Sequence, residues 1–488
     1  MKADRLPPCS CLNEMIHISK LLCLWSLAVV LPGVSAAQTQ AVGVTVSANE
    51  SGGDVADRFL GLSYESSMLL PKDGHYYFDA RDAALVDTFK TLGIRSLRVG
   101  ANAVDDPRVP VPQEADIDAL FSFARGADAK VIYSFRLKNG NPAESARLAR
   151  YIATHYGDLL DSFAIGNEPN FYLKPYASFY AQWKPHYDSI VQAVPDARFD
   201  GPSADGPYAL GLAGDVAAGG HLAMASDHYY FIGSGREREK DPAASRAVFL
   251  SDRTHDGYQR DYMQVGAILA ARGVPYRIDE LNSCYNGGAK DSSDTFSSTL
   301  WALDCIHWWA AHHLLGLNFH TGESVGRDGG FAAPNYAAFL REPDGHGFYM
   351  RPQAYAYLAF TQGAHGSPRD LTLQKASTLD FDAYSYRDRD GSFSVTLVNK
   401  SYGDGAQAAT VALQVPAPGH SGTWKRMDLK QERNDVSAKT DVTLGGGSVD
   451  RDGHWAGQWK TIAGADSGSL KVDVPAATAT LLRFNPAP

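Results

Sequence analysis

The chain has 488 residues, 44% of them hydrophobic and 11% aromatic, which is enough apolar material for a substantial core, so disorder is not the default. It is too long for one small domain and allows a barrel plus a smaller module. A net charge of −10 argues against nucleic acid or an anionic membrane surface as partner, and means that any acidic ligand must be recognised locally.

At the start, Lys20 precedes the apolar run Leu21-Leu-Cys-Leu-Trp-Ser-Leu-Ala-Val-Val-Leu31, and small residues follow at Val34-Ser-Ala36-Ala37. This pattern predicts a secretory signal over 1–37, with Met15 as an alternative start, and a secreted or periplasmic protein without a membrane anchor after cleavage. Cys9, Cys11 and Cys23 would leave with it. The remaining pair, Cys284 and Cys305, is expected to be a disulfide in that compartment, with free buried thiols as the alternative. Val42-Gly-Val-Thr-Val46 alternates, so 38–54 is expected to add a strand to a β-rich tail.

From 55 to 364, short β-rich runs alternate with amphipathic stretches. Strands are expected at 59–64, 96–100, 130–135, 162–166, 198–201, 223–230, 276–280 and 317–321. Helices lie between them, for example at 116–127, 145–155, 176–194, 261–271 and 295–315. Eight alternations suit a closed (β/α)8 barrel in the α/β class better than an open sheet, and no Gly-x-Gly-x-x-Gly loop follows the first strand. From about 365 to 488 the runs 381–386, 392–398 and 470–474 alternate, with Asp390-Gly391 as a hairpin turn. This predicts an antiparallel β-sandwich, more plausibly a buttress than a binding module.

Two apolar runs end in glutamate: Ser162-Phe-Ala-Ile-Gly-Asn-Glu-Pro-Asn170 and Val274-Pro-Tyr-Arg-Ile-Asp-Glu280. If both are strands of one parallel barrel, Glu168 and Glu280 share the carboxyl-terminal rim where such barrels place their active sites. Two carboxylates facing across a cleft are the minimal equipment for glycoside cleavage. A helix-capping or loop glutamate is the plain alternative, but Gly166 and Pro169 beside Glu168 mark a rim rather than a ladder.

Gly166-Asn-Glu-Pro-Asn170, the second strand-ending Glu and the β-rich tail resemble the retaining (β/α)8 glycosidases, and more narrowly glycoside hydrolase family 79, the β-glucuronidases and heparanases. The resemblance implies an exo-acting retaining β-glucuronidase that needs no metal or organic cofactor, with Glu168 as acid/base and Glu280 as nucleophile. It further implies that Asn167 binds the sugar 2-hydroxyl, that Glu65 and Asp105 or Asp106 bind sugar hydroxyls, and that Arg98 and Tyr230 orient Glu280. His228 lines the site, and Tyr285, Gly287 and Tyr336 hold the uronate carboxylate, with Lys290 as a rival. The partner is then a glucuronic-acid-containing glycan or glucuronide. An endo-acting heparanase-like enzyme, a neutral-sugar glycosidase and a non-catalytic carbohydrate-binding protein are the alternatives; the oligomeric state is left open. No histidine pair shows metal-ligand spacing.

Overall fold

The computed structural model describes residues 39–50, 52–323, 333–416, 422–463 and 468–486. After strand β1 (Thr39–Glu50) come β2 (Leu60–Glu65), β3 (Ser96–Gly100), β4 (Lys130–Phe135), β5 (Leu160–Ile165), β6 (Phe199–Ala204), β7 (Leu222–Tyr230), β8 (Tyr276–Asn282) and β9 (Gly316–His320). Strands β2 to β9 pair in parallel in chain order, and β9 returns to β2 through Leu60↔Leu317 and Leu62↔Phe319. The expected barrel is the observed fold. Covered by helices outside and side chains inside, β3 and β8 are buried along their whole length, the charged Arg98, Arg277, Asp279 and Glu280 included.

Several of the helices between the strands start on side-chain caps. Asp82 accepts from Leu85 N at Ala83–Leu92, Asn141 from Ala143 N at Pro142–Tyr156, and Asp205 from Tyr208 N at Gly206–Val216. The helix expected at 261–271 instead begins at Thr254–Asp261 and passes through a π turn at Tyr262–Gly266 before Ala267–Ala271. Gly266 suits the bulge, because a Cβ there would stand 2.8 Å from the Tyr262 ring.

A ribbon of β10 (Phe339–Arg341) and β11 (Phe348–Met350) and the helix Ala354–Gly363 lead into a second sheet. Its strands are β12 (Ser367–Gln374), β13 (Phe381–Arg387), β14 (Phe393–Asn399), β15 (Ala408–Gln414), β16 (Gly422–Gln431), β17 (Val442–Leu444), β18 (Lys460–Ile462), β19 (Ser469–Val474) and β20 (Thr478–Pro486), together with β1. They follow the path β17-β16-β20-β14-β13-β12-β1-β15-β19, with β18 on β16. The path curls around a core that includes Val44, Phe381, Val395, Val411, Val472 and Leu482, giving the two layers of a sandwich. Gly391, with φ of 84°, turns β13 into β14. One pairing departs from the antiparallel expectation: β1 lies antiparallel to β12 but parallel to β15, since it enters from the far end of the chain rather than through a hairpin.

The sandwich packs on the barrel along the helices Phe296–Ala311 and Ala354–Gly363. Between the two bodies the fully buried Lys400 ammonium meets Asp382 at 2.6 Å, Asp252 at 3.0 Å and Asp304 at 3.2 Å. Asp304 also accepts from the Tyr384 hydroxyl at 2.5 Å and faces His255 Nε2 at 2.9 Å. Among the described residues no helix is long and apolar enough to cross a membrane, and the leader expected at 1–37 lies outside them.

Candidate active site

At the carboxyl-terminal rim, Glu168 on the turn after β5 and Glu280 within β8 line one cleft of about 1400 Å³, larger than the roughly 300–1,000 Å³ of an ordinary small-molecule pocket. A carboxylate oxygen of Glu168 lies within 4.8 Å of one of Glu280. Glu168 takes a left-handed backbone, φ 45° and ψ 48°, rare outside glycine. Its amide donates to Ser203 O at 2.8 Å and its carbonyl accepts from Phe171 N at 3.0 Å.

Glu280 is held from two sides. Arg98 Nη1 donates to Oε2 at 2.7 Å and the Tyr230 hydroxyl donates to Oε1 at 2.8 Å. Burial alone would raise its pKa, but His320, His228, Arg98 and the Tyr230 hydroxyl together hold it well below the usual carboxylate range. Arg98 is wholly buried and further donates to Ser63 Oγ at 3.0 Å and Asn167 Oδ1 at 2.8 Å. Because Asn167 Oδ1 is taken by that guanidinium, its Nδ2 remains to donate toward the cleft, with Asn102 Oδ1 at 3.5 Å.

His228 sits opposite Glu280 in the β7–β8 register and stands between two further carboxylates. Its Nδ1 is 3.3 Å from Glu168 Oε1 and its Nε2 is 3.4 Å from Asp279 Oδ1. Burial would lower its pKa, yet Glu280, Asp279 and the contact with Glu168 raise it. Glu65 accepts from Ala103 N at 2.7 Å, and burial raises its pKa, opposed by His320.

The loop after β8 is pinned to the loop after β7: Tyr285 N donates to Gly233 O and Gly235 N to Tyr285 O, both at 2.9 Å. Tyr285 is 47% exposed, Gly287 has φ of 82° with open space where a Cβ would be, and both line the cleft with the buried Tyr336. Asn335 N donates to Gly287 O at 2.6 Å, which brings the Tyr336 segment against the same loop. Arg236, on the pinned β7 loop, is exposed and lines this wall. Lys290 is exposed and lies outside the lining, because the chain turns away after Gly288.

Three expectations change. Asp105 is not free for a sugar hydroxyl: Oδ1 accepts from Leu137 N and Lys138 N, both at 2.8 Å, and Oδ2 from Asn167 N at 2.9 Å and the Tyr172 hydroxyl at 2.7 Å. Four donors fill the lone pairs of one carboxylate. Asp106, the alternative, is engaged by the Arg108 guanidinium at 2.6 Å. The expected disulfide is absent: Cys284 and Cys305 are free and buried. They face different surroundings, Cys284 the hydroxyls of Ser293 and Ser283 and Cys305 that of Tyr258, and burial pushes the Cys284 thiol up to about 11.

His320 was not singled out by sequence reasoning, yet it stands between Glu280 Oε2 and Glu65 Oε1, 3.8 Å from each. Asp279 was also missed; it accepts from Ser203 Oγ at 2.6 Å and faces Arg98 Nε at 3.5 Å. The available signal was position, since both are polar residues in or ending strands that reach the same rim. Glu168, His228 and Glu280 stand close enough to ligate a metal ion, as do His255, Asp304 and Asp382. In each group the protein already supplies the cation, Arg98 in the first and Lys400 in the second.

No protein-family model matches the chain, and no curated protein matches its sequence. Solved structures match its fold. A 4-O-α-L-rhamnosyl-β-D-glucuronidase from Fusarium oxysporum 12S superposes with a TM-score of 0.67 at 19% identity, covering 90% of this chain and 99% of that one. A family 51 arabinofuranosidase from Xanthomonas axonopodis pv. citri gives 0.65 at 12% identity, covering 91% and 100%. A monomeric β-xylosidase from Caulobacter crescentus CB15 gives 0.61 at 15% identity, covering 91% and 100%. The class defined by the fold is therefore the barrel with an appended sandwich that these glycoside hydrolases share.

Proposed function

We propose that the chain is an exported glycoside hydrolase of the retaining type, and in particular an exo-acting β-glucuronidase. The observation that carries the mechanism is the approach of the two carboxylates to within 4.8 Å. Retaining enzymes hold their pair about 5–5.5 Å apart, whereas inverting enzymes leave about 6.5–9.5 Å for a water.

In this reading Glu280, kept ionised by Arg98 and Tyr230, attacks the anomeric carbon while Glu168 gives its proton to the departing glycosidic oxygen. The carbon–oxygen bond to the leaving group breaks as the ester to Glu280 forms, with inversion. Glu168 then takes a proton from water, whose oxygen displaces Glu280 with a second inversion. Asn167 Nδ2, aimed by Arg98, serves the 2-hydroxyl. Glucuronate as the sugar is supported by the pinned loop, where the Tyr285 hydroxyl and the amides around Gly287 make a donor nest with Tyr336 behind them and Arg236 beside them. That a fold neighbour acts on a glucuronide agrees with this choice.

The test is azide rescue on an aryl β-glucuronide with a good leaving group. Glu168→Ala should yield the β-glucuronosyl azide and Glu280→Ala the α-azide. Wild-type hydrolysis with inversion refutes the mechanism, and faster cleavage of the matching glucoside or xyloside refutes the sugar.

A further inference from the structure

Of the four large apolar side chains left exposed among the described residues, two, Phe171 and Tyr285, line the one catalytic cleft. Tyr285 has a place in the reading above. Phe171 does not, and at 71% exposure its ring is the most open of the four. Among the described residues it meets no other aromatic ring, so the fold gains nothing evident from keeping a phenyl group in water. Its position is nevertheless fixed. It closes the 3₁₀ turn Pro169–Phe171 that follows Glu168, and its amide donates to the Glu168 carbonyl at 3.0 Å.

The surroundings of Phe171 are built around one buried carboxylate. Asp105 gathers the amides of Leu137, Lys138 and Asn167 and the hydroxyl of Tyr172. Gly166 is required for that closure, since a Cβ there would lie 2.8 Å from Leu137 Cβ and 3.4 Å from Asp105 Oδ2. The loops after β3 and β4 and the turn after β5 are thus locked together, with the exposed phenyl ring standing on this locked base. Such a base holds an exposed ring ready for a ligand without further ordering on binding.

We propose that Phe171 is the platform of a leaving-group subsite that takes a ring with a flat apolar face, a sugar or an aryl group. This rests on the assignment of Glu168 as the acid. The group that receives the Glu168 proton is the departing one, so a ring anchored to the Glu168 carbonyl lies on the leaving-group side of the scissile bond. Stacking there helps only the step in which the leaving group is still attached. It has no part in the hydrolysis of the glycosyl-enzyme.

The experiment compares three β-glucuronosyl substrates that differ only in the leaving group: fluoride, phenol and a second sugar. Phe171→Ala should lower kcat/KM on the phenyl glycoside, the disaccharide or both by roughly tenfold, the loss expected when one ring face leaves an aromatic side chain. It should leave the fluoride within about twofold, because fluoride offers no face to stack. Phe171→Trp should restore the loss. A loss confined to the disaccharide assigns the subsite to a sugar, and a loss on both assigns it to any ring of that shape. An equal loss on the fluoride overturns the proposal, since it would mean that Phe171 only supports the turn carrying Glu168; so does no loss on either ring. If the wild type ignores all three glucuronosides but cleaves another sugar's aryl glycoside, the proposed sugar falls, and the same three leaving groups on that sugar test the subsite.

Discussion

Replacing Tyr230 with phenylalanine removes a single oxygen from the site and leaves the ring in place. That oxygen donates to Glu280 Oε1 at 2.8 Å. A hydrogen bond to a charged group contributes about 1.5–3 kcal/mol, and one pKa unit is about 1.4 kcal/mol, so the Glu280 pKa should rise by roughly one to two units. The carboxylate starts well below its usual range and is needed ionised, so the acid limb of kcat/KM against pH should move up by the same amount. The alkaline limb, which depends on the acid/base residue, should stay in place, and the bell should narrow from its acid side only. The assay is initial rates on an aryl β-glucuronide from about pH 9 down to the lowest pH at which melting curves show both proteins still folded. A uniform fall in kcat/KM with an unmoved acid limb would refute the reasoning and show that the hydroxyl serves the sugar rather than Glu280.

Three further outcomes are expected. Tyr285→Phe should lower kcat/KM on glucuronides by roughly ten- to a hundredfold and on the matching glucoside far less; a larger selective loss from Arg236→Met would move carboxylate recognition to the arginine. Lys400→Met should cost about 3–5 kcal/mol in denaturant unfolding, because Asp252, Asp304 and Asp382 lose their buried cation, and part of that loss should return on acidification as those carboxylates take up protons. His255 is raised from 6.5 to about 8, burial opposing the shift and Asp304 outweighing it. A raised pKa gives stability that is complete below about pH 6.5 and lost as pH rises through about 8, so unfolding free energy should fall by about 2 kcal/mol between pH 6 and 9. His255→Gln should lose that part of the fall, leaving what Asp261, raised to about 7, and other groups contribute.

Each predicted barrel strand overlaps an observed one because a parallel strand is stabilised locally by its own β-branched and apolar residues and bounded by polar turns. Glu168 and Glu280 were legible for the same reason, each standing at or beside the carboxyl end of such a run. What the sequence conceals is convergence. Asp105 looks like any loop acid until Leu137, Lys138, Asn167 and Tyr172 are brought to it from two other loops. His320 ends the last strand and gains its meaning only when closure sets it beside Glu65 of the first. The cysteines misled because an even count records how many thiols there are, not which way they point. Lys400, Asp304 and Asp382 gave no signal at all, since each becomes a buried ion only when the sandwich lies down on the barrel.

The place of β1 has a consequence in time. It is synthesised before the barrel strands, yet its hydrogen-bonding neighbours are β12 and β15, whose paired residues lie more than three hundred positions later. Until Ser367–Gln374 and Ala408–Gln414 have been made, β1 has an unsatisfied edge on either side and no core to cover. Completing the sandwich therefore depends on β1 meeting β12 and β15, a contact of very long sequence separation and so a slow one to form. A protein cut after the barrel would carry β1 without its partner strands and Asp304 without Lys400.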